Sequence, residues 1–176
     1  YGIGRATGRR AVETLAGADR LHLTSQYPDT ATELCRRAAD HSIPVSFDPG
    51  RRLGTRRYDD LISRVDLLFV NEREADEIAD TLANRAGPTV IKRGDGGACF
   101  RNGTETVSHD GFAVTPRDTA GAGDAFAAGF LAARLRDRTV TEALATANAC
   151  GALAVESAGA RADVSWTEID RYRSRH

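Results

Sequence analysis

"RDTAGAGDAFAAGF", residues 117–130, decides how the chain is read. Gly121, Ala122 and Gly123 carry little or no side chain, so another group can approach their backbone closely. Helical periodicity starts immediately after them, with Phe126 and Phe130 four residues apart. The first N–H groups of such a helix lack internal partners and carry the positive end of its dipole. A phosphate or a developing anion is therefore welcome there. Asp124, in the first turn, has two readings on residues alone: a cap that serves the dipole, or an acid placed to take a proton from a hydroxyl beside the anion hole.

Outward from this turn, strands alternate with helices. Residues 9–16 read as the end of a helix, 21–25 as a strand, and 29–42 as a helix opened by Asp29 as its cap. Strands follow at 43–48, at the continuous apolar run 66–71 and at 88–94, with a short helix near 58–64 and one long helix over 72–87 ended by Gly87. Residues 97–109 form a hairpin turning at Asn102-Gly103, and helices occupy about 121–137, 141–157 and 166–174. This alternation predicts a doubly wound, mostly parallel sheet with helices on both faces. Ligands in such sheets sit beyond the carboxyl ends of the strands. Asp48, the pair Asn71 and Glu74, and Lys92–Gly97 all fall just past a strand end.

Composition narrows the class. The chain has 176 residues, 41% hydrophobic and 28% charged, with net charge −1, which fits one globular domain or part of a larger one. No apolar run has the length of a membrane span, no segment reads as a signal peptide, and no basic stripe invites nucleic acid. Cys35, Cys99 and Cys150 have neither zinc nor disulfide spacing, so a reducing cytoplasm is the expected setting. Lys92 is the only lysine. Methionine is absent and residue 1 is tyrosine, so the chain reads as a portion of something longer.

Three further groups hold two readings each. Gly94, Gly96 and Gly97 make either a loop for a flat or anionic ligand or an ordinary hairpin entry. Asn71 and Glu74, three apart, either cap the helix they open or face a phosphate site, where the carboxylate would hold Mg²⁺ through its waters. Asn148 and Gly151 interrupt an apolar helix face, bordering a flat ring such as adenine or meeting backbone in the core.

"DTAGAGDAFAAGF" resembles the C-terminal signature of the ribokinase-like carbohydrate kinases, the PfkB family. "FDPGRR" (47–52), "NERE" (71–74) and "KRGDGG" (92–97) match that family's other landmarks in order. The resemblance spans about residues 20–172 and differs at Gly50, where many members carry Asn. It implies a three-layer α/β/α sandwich, residues 1–176 being the C-terminal, nucleotide-binding and catalytic part of one kinase domain. It also implies an ATP-dependent transfer to a hydroxyl of ribose, fructose, a 2-keto-3-deoxy sugar acid or a similar carbohydrate. Asp124 would be the general base and the amides of Gly121, Ala122, Gly123 and Asp124 the anion hole. Asn71 and Glu74 would serve nucleotide phosphate and hydrated Mg²⁺, Lys92, Gly94 and Gly97 would line the nucleotide site, and Asn148 would lie near the base. Asp118 resembles a position tied to a monovalent cation such as K⁺ in some members, with carbonyls from 154–163. The family's sugar-binding half and lid, through which members commonly dimerise, are absent from the sequence. A nucleoside kinase of the same family and a nucleotide-binding fragment without turnover remain alternatives. A dinucleotide-dependent oxidoreductase does not fit, because Phe126 stands where a fingerprint glycine should.

Overall fold

Val-Ser-Phe-Asp at 45–48 is buried along its whole length in the computed structural model, which describes Leu15 and residues 17–157 and 164–175. Leu67–Val70 is buried likewise. Runs with no solvent face belong inside a parallel sheet, and the chain uses them so. Strand β1 (Leu21–Thr24) pairs in parallel with β2 (Val45–Asp48), from Leu21 opposite Val45 to Thr24 opposite Asp48. β2 pairs in parallel with β3 (Leu67–Asn71). By its internal contacts the chain divides into two units, residues 1–90 and 91–176, and the division falls inside β4 (Thr89–Lys92). Strand order is β1-β2-β3-β4 in the first unit and β4-β5-β6 in the second.

In the first unit, helix α1 (Pro28–Asp40) starts one residue earlier than its sequence suggests. Tyr27 is the N-cap, Pro28 presets the first helical φ, and Asp29 lies inside the first turn instead of capping. Helix α2 (Asp59–Arg64) follows a 3₁₀ turn at Gly50–Thr55. The long helix expected at 72–87 is two short ones, α3 (Glu72–Glu77) and α4 (Ala79–Ala83). The break comes at β-branched Ile78, with φ −114° and ψ 27°. The second piece stops at Asn84, three residues before Gly87, because competing bonds end it. The Asn84 amide donates to Asp80 O at 2.8 Å, and the Arg85 guanidinium donates to the carbonyls of Ile62 and Val65. Phe47, Leu68, Phe69 and Val70 are fully buried, with the Tyr58 ring 5.1 Å from that of Phe47. Each such side chain contributes about 1.5–3 kcal/mol by leaving water.

In the second unit, β5 (Ala98–Asn102) and β6 (Glu105–His109) pair antiparallel. Asn102 stands opposite Glu105, so the turn is on Gly103-Thr104, one residue later than expected, with Gly103 at φ 58° in its first central position. Helices α5 (Ala122–Arg134), α6 (Val140–Glu156) and α7 (Trp166–Arg175) complete the unit, α6 packing on α5, α7 and the hairpin. A Cβ on Gly129 would stand 2.6 Å from Cys150 Sγ, so its absence lets α5 and α6 close. Burial pushes the Cys150 thiol up to about 11, which leaves it a small apolar filler. The stretch 9–14, residue 16 and residues 158–163 lie outside the described residues, so the helix end expected at 9–16 and most of the 154–163 loop are not described.

Candidate functional site

Helix α5 begins without the device that closes the other long helix of its unit. Its N-cap is Gly121, at φ 79° and ψ −4°, a left-handed conformation that glycine adopts without a Cβ penalty and that brings no side chain to cap the helix. The Ala125 N–H reaches Gly121 O at 2.9 Å to begin the helical ladder. Of the amides expected in an anion hole, that of Ala122 donates to Thr119 O at 3.3 Å, a bond at the long end of the range. Asp124 is the third helical residue and is exposed. Asp118 accepts the Ala120 N–H on Oδ1 at 2.8 Å, and the N–H groups of Arg117 and Asp118 both donate to Val155 O, at 2.7 and 3.2 Å. These bonds tie the turn to the end of α6.

A cavity of about 460 Å³ lies beside this helix start, wholly within the second unit. It brings together Lys92, Gly94 and Gly97 from the β4–β5 connection, Ala122 and Gly123 from α5, and Asn148 from α6. Phe112, Phe126 and Val155 supply apolar wall. Lys92 Nζ stands 3.5 Å from where a Gly123 Cβ would be, so the one lysine places its positive charge at the positive end of the helix dipole. The same first turn carries the Asp124 carboxylate, so positive and negative groups meet at this helix start. Gly97 adopts φ 76°, and a Cβ there would come within 2.0 Å of His109 O. The glycine loop turns the chain into the hairpin, and Gly94 and Gly97 also line the cavity.

Asn148 lines the cavity, and its side-chain partner is another side chain and not the backbone expected of a core Asn. It is 8% exposed, and its Nδ2 lies 3.1 Å from Nδ1 of His109. His109 also accepts the Gly111 N–H on Nδ1 at 3.0 Å. Burial, with Arg173 adding to it against the opposing pull of Asp110, holds the His109 imidazole below its usual pKa. Sequence reasoning misses His109, because 39 residues separate it from Asn148 and no local spacing links them.

Asn71 and Glu74 belong to the first unit and are not among the residues that line this cavity. They form a reciprocal capping box: Asn71 Oδ1 accepts the Glu74 N–H at 2.8 Å, and Glu74 Oε2 accepts the Asn71 N–H at 2.9 Å. Glu74 is only 2% exposed, unlike Glu142 and Glu168, which make boxes of the same form and are not buried. Among the described residues no three His, Cys, Asp or Glu side chains gather into a metal-holding group, and no helix is long and apolar enough to cross a membrane.

A family model described as pfkB family carbohydrate kinase matches residues 9–167. The chain is 44% identical over 168 residues to an ATP-dependent ribose-1-phosphate kinase of Halopiger xanaduensis, covering 91% of this chain and 57% of that protein. It is 30% identical over 158 residues to a ribokinase of Bacillus subtilis, covering 86% of this chain and 53% of that protein. Among solved structures, one provisionally described as a Ribokinase II from E. coli, in complex with ATP and Mg²⁺, superposes with a TM-score of 0.82 at 24% identity, over 94% of this chain and 61% of that one. The chain thus spans a little over half the length of these relatives.

Proposed function

This chain belongs to the pfkB family of carbohydrate kinases, and from that premise we propose that the protein transfers the γ-phosphoryl group of ATP to a hydroxyl of a small carbohydrate. The observation that carries the reading is the α5 start: a helix opened by a left-handed glycine, with Lys92 beside it in a cavity large enough for a nucleotide. Phosphoryl transfer asks little covalent work of a protein; positioning and charge neutralisation do most of it. Asp124 accepts the proton of the attacking hydroxyl as general base, a role worth roughly 10²–10⁴ in rate. The first-turn amides of α5 and the Lys92 ammonium take up charge on the phosphoryl oxygens. Gly94 and Gly97 let the nucleotide lie close to backbone, and Asn148 meets its base.

Magnesium would be held as a hydrated ion through a single carboxylate, since no protein cage for it is found among the described residues. Glu74 is the carboxylate assigned to it, and Asn71 orders Glu74 through the box. When bound, the ion supplies charge neutralisation across the phosphate oxygens. Asp118 is assigned to a K⁺ ion at the loop held by Val155 O. The acceptor is a small sugar, and a sugar 1-phosphate heads the candidates because the 44% relative is named for one. The test is ADP release by the full-length protein with ATP, Mg²⁺ and a panel of ribose 1-phosphate, ribose, fructose, 2-keto-3-deoxygluconate and cytidine. Sugar-dependent ADP release supports the reading, and ATP binding without release on any acceptor would replace it with a regulatory nucleotide-binding role.

A further inference from the structure

Behind the wall of the cavity, His109 holds the amide of Asn148. The Gly111 N–H can only donate, so the Nδ1 atom it reaches at 3.0 Å must carry a lone pair. The imidazole is therefore neutral, with its proton on Nε2. The same Nδ1 lies 3.1 Å from the Asn148 side chain, which must then present its NH₂ group and not its oxygen. Asn148 Nδ2 is thus committed to His109, and Oδ1 is the polar atom of this side chain left for a ligand in the cavity it lines.

We propose that His109 is a positioning residue for nucleotide choice: by accepting from Gly111 and Asn148 together, it fixes the Asn148 amide with Oδ1 as the group offered to the base. An acceptor at that point favours a base edge bearing an amino group, as in adenine, and disfavours a carbonyl at the same place, as in hypoxanthine. This rests on the nucleotide reading of the cavity. A proton on Nδ1 would undo the arrangement, because both donors would lose their acceptor and Asn148 could pair with the ring only by turning its oxygen inward. The groups around the ring are Asp110 beside it in the chain, Arg173 on α7, uncharged Asn148 on α6, uncharged Ala98 opposite it on β5, and the Phe112 ring 5.2 Å away.

The test compares KM for ATP and for inosine triphosphate in the full-length protein, wild type, His109→Phe and His109→Asn. Phenylalanine keeps a ring and removes the acceptor; asparagine can return an acceptor oxygen near the place of Nδ1. The expected result is an inosine-to-adenosine KM ratio that falls about three- to tenfold in His109→Phe, the worth of one hydrogen bond. kcat with ATP should change little, and His109→Asn should keep the wild-type ratio. Lowering the pH through the imidazole titration should raise KM for ATP in the wild type and not in His109→Asn. An unchanged ratio in an active His109→Phe overturns the proposal while leaving the kinase reading intact, and wild-type protein that turns over neither nucleotide overturns both. Nitrogen NMR of the wild-type imidazole decides the matter if His109→Phe does not fold. A neutral ring protonated on Nε2 at pH 7.5 supports the proposal, and a proton on Nδ1 overturns it.

Discussion

Two helix starts, α3 and α5, carry an acid at the same position, the third helical residue, and treat it in opposite ways. Glu74 is folded back onto the N–H of Asn71, 2% exposed, in a closed box. Asp124 follows a glycine cap that has no side chain, and it is exposed. The closed arrangement recurs at two further helix starts. Thr139 and Glu142 form the same reciprocal box at α6, and Ser165 and Glu168 exchange the same bonds before α7. The Thr139 backbone N–H and hydroxyl, and those of Ser165, hold the Glu142 and Glu168 carboxyls below the usual carboxylate value. Their contribution to folding is present above the ordinary value of 4.5 and is lost as pH falls through the lowered one. Of the starts without a side-chain cap bond, those of α1, α2, α4 and α5, only that of α5 lines the cavity.

Changing the two acids should separate the helix starts most strongly. Asp124→Asn in the full-length protein should lower kcat by roughly 10²–10⁴ while ATP still binds and the melting temperature holds. An Asp124→Asn enzyme that keeps most of its kcat would make Asp124 a cap like the others. Next in size is Asn71→Ala, which opens the box over a buried carboxylate and should cost about 0.5–2 kcal/mol in urea unfolding. Glu74→Gln sharpens the same point: it should raise the Mg²⁺ needed for half-maximal rate, and an unchanged midpoint would leave Glu74 with the box alone. Thr139→Ala should have the smallest effect, a loss of stability below that of Asn71→Ala with kcat unchanged, because that box lies in solvent.

These boxes bear on how much the sequence disclosed. The strand at 67–71 is legible because its burial leaves a continuous apolar run, and the α5 signature because its glycines precede a clear helical period. The end of the second piece at Asn84 is not legible, since the neighbouring Arg85 bonds reach the distant carbonyls of Ile62 and Val65. The burial of Glu74 is half legible: Asn-x-x-Glu announces a box, although the sequence does not say that tertiary packing will cover it. His109 is not legible at all, because its role exists only once the hairpin brings it to α6. Local pattern carries to the helix start and stops where side chains meet across the fold.

On the proposed reading, the first-turn amides of α5 receive phosphate. Titrating the isotopically labelled full-length protein with ATP and Mg²⁺, while following backbone amide resonances, tests it directly. The Gly123 and Asp124 amides should shift strongly and saturate with nucleotide, while the Thr139 and Glu142 amides of the closed box stay in place. Nucleotide binding that leaves Gly123 and Asp124 unmoved would contradict the account.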